Sequence, residues 1–176
     1  MNSQPSEADA QSRQRVATML ASDSFSQWLG IRVVAVSAGH CLLRMRVRED
    51  MVNGFGVAHG GIVFSFADSA MAFACNSGEF VTVAIDNQIA YPAAIQVGDE
   101  LTATAEEDAA SGRLGFYRVR VQNQHTVIVA LFRGTVYRTR KPHAQSASQR
   151  QAKTSSASTG SFRLCTNQRS CIRMRA

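Results

Sequence analysis

The sequence predicts an α+β domain in which a mostly antiparallel sheet wraps around one long buried helix. The first observation is an apolar run over residues 62–75, in which Ser65, Asp68 and Ser69 are the only polar side chains. A run that is apolar on every side is typical of a helix enclosed in a core. The second observation is that strand candidates follow this run with no further helix, which favours an antiparallel sheet.

The elements before the buried helix are a helical segment and a hairpin. Residues 11–29 carry apolar side chains at helical spacing, with a break expected near Asp23 and Ser24. Residues 31–36 are rich in β-branched side chains, and a turn of small residues follows them. Residues 41–47 then alternate apolar side chains with arginines, which is typical of a half-buried strand.

The elements after the buried helix are all strands. Their alternation and the turn-forming segments between them predict four strands, over residues 81–91, 100–107, 115–122 and 127–137. We expect this sheet to enclose the helix, and a second subunit to cover whatever face of the helix the sheet leaves open.

Charge divides the chain into a folded part and a tail. Residues 1–137 hold ten Arg against thirteen Asp and Glu, whereas nine Lys and Arg and no acid lie from Arg138 onward. We therefore expect a flexible N-terminus over residues 1–10, a single domain over 11–140 and a basic, disordered tail over 141–176. Because the basic charge belongs to the tail, nothing favours a nucleic-acid partner.

The four cysteines indicate neither a disulfide framework nor a metal site. Cys41 falls in a predicted strand, Cys75 in the buried helix, and Cys165 and Cys171 in the tail, with no CxxC spacing. This usage fits a reducing, cytoplasmic setting. The N-terminus lacks a signal sequence, and the apolar run is too short and too interrupted by Asp68 to span a bilayer. We expect a soluble protein without a metal or a membrane partner.

Asp68 is the residue that most needs a chemical explanation. An ionised carboxylate inside an apolar helix is costly unless it is paired, bound to a metal or protonated. Gly60 and Gly61 open the same helix, where free backbone N–H groups would stabilise negative charge on a ligand. These donors lie roughly 10 Å along the helix axis from Asp68. A two-fold dimer would bring one subunit's donors near the other's carboxylate.

These residues carry a family resemblance. The segments His59-Gly60-Gly61, Phe64-Ser65, Ala67-Asp68 and Ala74-Cys75-Asn76-Ser77 resemble the hotdog-fold acyl-CoA thioesterases of the phenylacetic acid degradation (PaaI) type. Residues 129–134 near the end of the domain add to the similarity. The resemblance covers about residues 12–140, and the tail has no recognised counterpart.

The resemblance implies a role for each residue of the motif. It makes Asp68 the nucleophile or general base toward a thioester and makes the N–H of Gly60 the group that polarises the thioester carbonyl. Asn53 would orient the substrate or water, and His59 would shape the loop. Gly61, Phe64 and Thr82 are expected to contact the substrate. In some relatives a Ser or Thr on the strand after the helix assists the water. The residue aligned with it here is Ala84, which has no hydroxyl, and Thr82 lies nearby.

The resemblance also implies a substrate, a partner and an assembly. The substrates would be phenylacetyl-CoA, its ring-hydroxylated forms, or short and medium acyl-CoAs. No cofactor is expected, since coenzyme A is part of the substrate. The protein would form homodimers or homotetramers with the active site at the subunit interface.

Alternatives remain open for several residues. The structural alternative for Asp68 is a buried carboxylate that caps a neighbouring loop, and Asn53 with Gly54 is a strong turn signal. Asp86 and Asn87 lie in an apolar strand, where either would contact Asp68, meet a partner subunit or face solvent. For the whole protein, the alternative to hydrolysis is a non-catalytic module that binds acyl-CoA.

Overall fold

The computed structural model describes residues 6–143, which form two N-terminal helices, a central helix and six strands. The elements in chain order are α1 (Glu7–Ser22), α2 (Ser24–Leu29), β1 (Arg32–Ser37), β2 (His40–Arg46), α3 (Gly60–Cys75), β3 (Phe80–Ala90), β4 (Glu100–Ser111), β5 (Leu114–Gln122) and β6 (Ile128–Pro142), with one short 3₁₀ turn at Glu49–Met51. No helix in this part of the chain has the length and apolarity needed to cross a bilayer.

The six strands form one fully antiparallel sheet in the order β1-β2-β4-β5-β6-β3. Because β3 leaves the central helix and pairs with the last strand, it closes one edge of the sheet, and β1 forms the other edge. The predicted strand order along the chain and the antiparallel sheet are confirmed.

The central helix α3 packs against the inner face of this sheet. Phe66, Ala70, Met71 and Phe73 are among its fully buried side chains. The face of α3 that includes Ser65, Asp68, Ser69 and Ala72 is only partly buried, so the sheet does not enclose the helix completely. The predicted buried helix is confirmed, and this open face positions the candidate site.

The N-terminal helices differ from the prediction at their start. Ser6 caps α1 by accepting a hydrogen bond from the Asp9 N–H, and the helix begins at Glu7. Residues 7–10 are therefore helical, which corrects the expectation that residues 1–10 are flexible. The break near Asp23 is confirmed, because the Asp23 carboxylate caps α2 through the N–H groups of Phe25 and Ser26.

The C-terminal boundary also moves. Strand β6 continues to Pro142, two residues beyond the predicted limit of the domain at residue 140. Strand β4 extends to Ser111, a residue that the sequence placed in a turn. The remainder of the predicted tail, with Cys165 and Cys171, lies outside the described residues. Cys41 and Cys75 are buried free thiols, and burial raises the pKa of each to about 12.

Candidate active site

Asp68 lies on the open face of α3, and its carboxylate accepts one hydrogen bond from the residues that the structure describes. Its Oδ1 accepts this bond from the Asn87 Nδ2 at 2.9 Å. None of the ion pairs formed within residues 6–143 includes Asp68. Burial raises the pKa of the Asp68 carboxyl, and the Asn87 amide opposes this shift because it stabilises the charged form. The result is a carboxylate with a free oxygen and an elevated proton affinity.

A bulge in β3 explains why Asn87 reaches Asp68. The pairing of β3 with β6 shifts register between Ala84 and Asp86, so Ile85 is an extra residue. Thr82, before the bulge, faces the core, and Asn87, after it, faces α3. Inward positions thus change from even to odd numbers. The sequence left open whether Asp86 or Asn87 contacts Asp68. Because of the bulge, the side chain that reaches Asp68 is that of Asn87.

Gly134 provides the space that the Asn87 side chain occupies. Gly134 of β6 is the direct partner of Asn87 across the sheet. A Cβ at this position would lie 2.7 Å from the Asn87 Oδ1 and closer still to the Met71 sulfur. Both distances are far below van der Waals contact, so the Asp68–Asn87 arrangement requires glycine at residue 134.

The start of α3 presents one free backbone donor. The His59 Nδ1 accepts a hydrogen bond from the Gly61 N–H at 2.9 Å, which caps the helix and assigns the ring proton to Nε2. The His59 N–H donates to the Met51 carbonyl, which holds the preceding loop. No residue within 6–143 accepts a hydrogen bond from the Gly60 N–H. Gly60 is therefore the residue whose amide can bind a ligand oxygen.

Tyr91, at the end of β3, holds the Gly60 peptide in place. Its hydroxyl donates to the Gly60 carbonyl at 2.8 Å, and a Cβ on Gly60 would lie 3.3 Å from the Tyr91 ring. The two residues line a cavity of about 300 Å³ together with Val57 and Ile95. Tyr91 was not among the residues predicted for the site; the available signal was its position beside Pro92, where an apolar strand ends.

Asn53 has a structural bond and a free donor. Its Oδ1 accepts from the Phe55 N–H at 2.9 Å, and its backbone pairs with Val57 and Gly56, which forms the predicted turn. Its Nδ2 donates to no residue within 6–143. The turn role and a role toward substrate are therefore compatible.

The predicted substrate-contacting residues fall in different places. Phe64 lies on the same side of α3 as Asp68, with its ring edge-on to Phe132 at 5.5 Å. The Gly61 N–H donates to the His59 Nδ1, so it is not available to the substrate. Thr82 is buried near the end of α3, where its N–H donates to the Asn76 Oδ1 and its hydroxyl to the Phe80 carbonyl. The structure does not bring Thr82 to Asp68.

The carboxylate and the free donor lie apart within one subunit. Gly60 and Asp68 are eight residues apart on α3, which corresponds to about 12 Å along the axis. A thioester carbonyl cannot contact both at once. The part of the chain that the structure describes also holds no cluster of three or more His, Cys, Asp or Glu suited to a metal.

A pocket adjoins Asp68 where the junction of α1 and α2 faces α3. This elbow pocket has a volume of about 370 Å³, and Met19, Asp23, Phe25, Phe64 and Asp68 are among its lining residues. Its walls are mainly apolar, with the Asp68 carboxylate exposed at one side. Such a combination is typical of a site that binds an apolar group next to a reactive carboxylate.

Comparison with known proteins identifies the family. The Thioesterase superfamily matches residues 55–130. Acyl-coenzyme A thioesterase PaaI of Escherichia coli is 37% identical over 125 residues, which cover 71% of this chain and 89% of that protein. The structure of the E. coli PaaI protein from the phenylacetic acid degradation operon superposes with a TM-score of 0.75 at 34% identity, covering 77% of this chain and 99% of that one.

A second similar structure was solved with a bound ligand. The protein smu.793 from Streptococcus mutans, solved bound to acetyl CoA, has a TM-score of 0.61 and 26% identity, and covers 63% of this chain and 90% of its own. The identity and coverage of the E. coli relative, together with the central helix packed against an antiparallel sheet, meet the expectation from the sequence. The chain belongs to the thioesterase superfamily and has its hotdog fold.

Proposed function

We propose that this protein hydrolyses acyl-CoA thioesters and that Asp68 is the catalytic residue. The observation that carries the proposal is a half-buried carboxylate beside a mainly apolar pocket, with one amide donor and no cationic partner among residues 6–143. A buried carboxylate that serves only the fold is usually paired with a cation or satisfied by several hydrogen-bond donors. The named activity of the E. coli relative and the acetyl CoA in the S. mutans structure support this function.

In the proposed reaction, Asp68 activates a water molecule at the acyl carbon. The carboxylate takes a proton from water, the water oxygen bonds to the acyl carbon, and the Gly60 N–H donates to the carbonyl oxygen as it gains negative charge. The C–S bond then breaks, and coenzyme A leaves as a thiolate that takes up a proton. In the alternative, Asp68 attacks the acyl carbon itself, the C–S bond breaks and coenzyme A leaves as the thiolate; water then hydrolyses the resulting anhydride to the free acid and the Asp68 carboxylate.

We also propose that a second copy of the chain completes the site. Edge strand β3 has backbone groups free to pair, and Val83, Ile85 and Tyr91 expose apolar surface along it. Antiparallel pairing of two β3 strands about a two-fold axis would extend the sheet. It would set Gly60 of one subunit near Asp68 of the other, which removes the separation found within one subunit. Such pairing would give a homodimer, and two such dimers would form a homotetramer.

The proposed substrates are phenylacetyl-CoA, its ring-hydroxylated forms, or related short and medium acyl-CoAs. The origin of E. coli PaaI in a phenylacetic acid degradation operon supports an arylacetyl group, and Phe25, Phe64 and Phe73 would contact an aromatic ring in the elbow pocket. The two buried free thiols fit the proposed cytoplasmic location.

Thiol release from a panel of acyl-CoAs tests the function. We expect Asp68→Ala to lower kcat by at least about 10² without loss of the fold, because it removes the base or nucleophile. Asp108→Asn, which removes an exposed carboxylate of β4, is the matched control and should keep its activity. Near-native turnover in Asp68→Ala would overturn the assignment. A folded wild type that binds acyl-CoA without turnover would support the binding-module alternative instead.

Complementation tests the shared site. Asp68→Ala and Gly60→Pro should each be inactive, since proline removes the free N–H at a helix position that tolerates it. When the two variants are co-expressed, half of the dimers are mixed, and each mixed dimer has one intact site. We therefore expect about a quarter of the wild-type activity to return. If each subunit carried a complete site, no activity would return.

A further inference from the structure

Phe55 is the most exposed large apolar side chain among the residues that the structure describes. Its exposed fraction is 93%, whereas a packed aromatic side chain buries roughly 150–250 Å². A single exposed apolar residue is ordinary on a protein surface, but this one lies only five residues before Gly60, the proposed donor to the thioester carbonyl. Phe55 adds almost nothing to the core of its own subunit, so the contact that explains its position lies outside that subunit.

The loop that carries Phe55 is closed by hydrogen bonds at its base. The Asn53 N–H donates to the Val57 carbonyl at 2.9 Å, and the Phe55 N–H donates to the Asn53 Oδ1 at 2.9 Å. Outside this turn, Val52 and Ala58 form an antiparallel bridge. The closed turn holds Phe55 at its tip, so little conformational freedom would be lost when the ring meets a partner.

The two-fold relation of the proposed dimer directs this loop toward the elbow pocket of the partner subunit. The inference rests on the proposed function, in which Gly60 of one subunit lies near the partner's Asp68. Antiparallel pairing of the β3 strands also makes the two α3 helices antiparallel. The chain that precedes Gly60 therefore passes the partner's Asp68 in the direction of the partner's Ala72 and the partner's Phe73, which line the elbow pocket.

The loop is long enough to reach that pocket. Five residues of extended chain span up to about 17 Å. The distance along the helix axis from Asp68 to Ala72 and Phe73 is only about 6–8 Å. The fold of the loop shortens its reach, but the tip needs less than half of the extended length to arrive at the pocket.

The elbow pocket offers an aromatic rim to an incoming ring. Phe25 lines the pocket and is half exposed. The Trp28 ring stacks on Phe25 with centroids 5.9 Å apart, and the Arg48 guanidinium lies 5.1 Å from the centre of the Trp28 ring, so Phe25 is held in place. A second phenyl ring would pack on Phe25 and leave the part of the pocket beside Asp68 and Phe73 to the acyl group.

We infer that Phe55 of each subunit forms the outer wall of the partner's elbow pocket and contacts the acyl group bound beside the partner's Asp68. Each pocket is then built by two subunits, with α1, α2 and α3 from one and the Phe55 loop from the other. The ring limits the bulk of the acyl group. A group with one aromatic ring has room beside Phe55, and a fused two-ring group collides with it.

Phe55→Ala tests the limit on bulk with phenylacetyl-CoA and 2-naphthylacetyl-CoA. We expect kcat/KM to fall about tenfold for phenylacetyl-CoA, which loses an apolar contact, and to rise for 2-naphthylacetyl-CoA, which gains room. The variant should fold normally, because Phe55 is exposed within its subunit. Phe116→Ala removes a partly exposed ring from the outer face of β5 and is the matched control, which should keep the wild-type substrate ratio. An unchanged ratio in Phe55→Ala would overturn the inference.

Mixed dimers of Asp68→Ala and Gly60→Pro subunits show which subunit supplies the ring. The active site of such a dimer combines Gly60 of the Asp68→Ala subunit with Asp68 of the Gly60→Pro subunit. Phe55→Ala added to the Asp68→Ala chain should therefore change the substrate ratio of the recovered activity. The same change added to the Gly60→Pro chain should leave the ratio unaltered. The reverse pattern would place Phe55 at the pocket of its own subunit and overturn the inference.

A photo-reactive residue at position 55 gives a readout that needs no turnover. With p-benzoylphenylalanine in place of Phe55, irradiation should link position 55 to the partner's Met19 or the partner's Phe25, and mass spectrometry of the cross-linked dimer locates the link. Links formed only within one chain would overturn the inference. If such links formed only within one chain while the wild type hydrolysed phenylacetyl-CoA, the hydrolase function would stand without the shared pocket.

Discussion

Two carboxylates face the inner side of the sheet, and their surroundings differ. Glu107 of β4 accepts a hydrogen bond from the Tyr117 hydroxyl at 2.7 Å and pairs with the Arg138 guanidinium at 2.6 Å. Within the described part of the chain, Asp68 of α3 has one amide donor and no cationic partner. A buried charge with a cation and a second donor is neutralised in place, whereas one without them keeps its reactivity.

One row of the sheet serves both carboxylates. Glu107, Tyr117, Gly134 and Asn87 are successive partners across β4, β5, β6 and β3. At one end of the row Tyr117 supports Glu107, and at the other end Asn87 supports Asp68. The same layer of side chains therefore builds a structural ion pair and a reactive carboxylate, and the difference between them is the presence of Arg138.

Gly134→Ala should have the largest effect on stability and activity, because it disturbs the middle of the row that connects the two carboxylates. The new Cβ would displace Met71 and the Asn87 side chain, so we expect a loss of about 1–3 kcal/mol in the free energy of unfolding and a fall in kcat. Chemical denaturation and steady-state kinetics measure the two effects. Gly78→Ala, where a Cβ would meet nothing within 4 Å, is the matched control. Native stability in Gly134→Ala would show that the row tolerates a larger residue.

Glu107→Gln should separate stability from catalysis. Loss of the charge leaves Arg138 without its partner, and we expect the protein to lose about 1–2 kcal/mol of stability, since the pair is largely but not fully buried. The kcat should stay within about twofold of the wild type. A large loss of kcat at unchanged stability would mean that Glu107, and not only Asp68, serves the reaction.

Asn87→Ala should change the pH dependence more than the maximal rate. The amide stabilises the charged form of Asp68, so its removal raises the pKa of Asp68 further, and the acid limb of kcat/KM moves to higher pH. A pH–rate profile measures this shift, and Asn87→Ser, which keeps a donor, should restore part of it. If the residue were only structural, the melting temperature would fall and the acid limb would stay in place.

Asp68→Asn should have the smallest effect, a gain in stability at neutral pH. Because the folded-state pKa of Asp68 is raised above its unfolded value, the folded protein holds a proton that the unfolded chain releases, and stability falls as pH rises through this window. Asparagine has no such cost. We expect the variant to melt above the wild type at pH 7 to 8 and the difference to shrink as the pH is lowered toward the unfolded pKa. A constant difference at every pH would contradict a titrating Asp68.

Much of the fold follows from local patterns in the sequence. The apolar run from residue 62 predicts α3, and alternation predicts each strand to within a few residues, because both patterns report burial directly. The start of α1 was missed because residues 7–10 carry no large apolar side chain, and its Ser6 cap stabilises the helix without any apolar signal. The end of β6 was missed because its last residues are charged.

The candidate site was predictable only in part. Asp68, Gly60, His59 and Asn53 carry their signal in residue type and spacing, and the roles assigned to them remain predictions. Tyr91 acts on Gly60 from 31 residues away, and no local pattern records such a contact. Thr82 was named because it is the hydroxyl residue near Ala84, the position that the resemblance aligns with a helper Ser or Thr, but it lies on the N-terminal side of the bulge at Ile85, where it is bound to Asn76.

The sequence by itself determined where the buried carboxylate and the helix-opening glycines lie, because an acid within an apolar run and two adjacent glycines are local facts of composition. Only the tertiary structure decided what surrounds them. A single extra residue in β3 turns the Asn87 side chain inward. Glu106 and Glu107 are neighbours in the chain but lie on opposite faces of the sheet, so Glu106 pairs with Arg118 on the outer face and Glu107 pairs with Arg138 on the inner face. The junction of α1 and α2 completed the pocket beside Asp68. These features depend on contacts between residues far apart in the chain, which the local spacing of residue types does not encode.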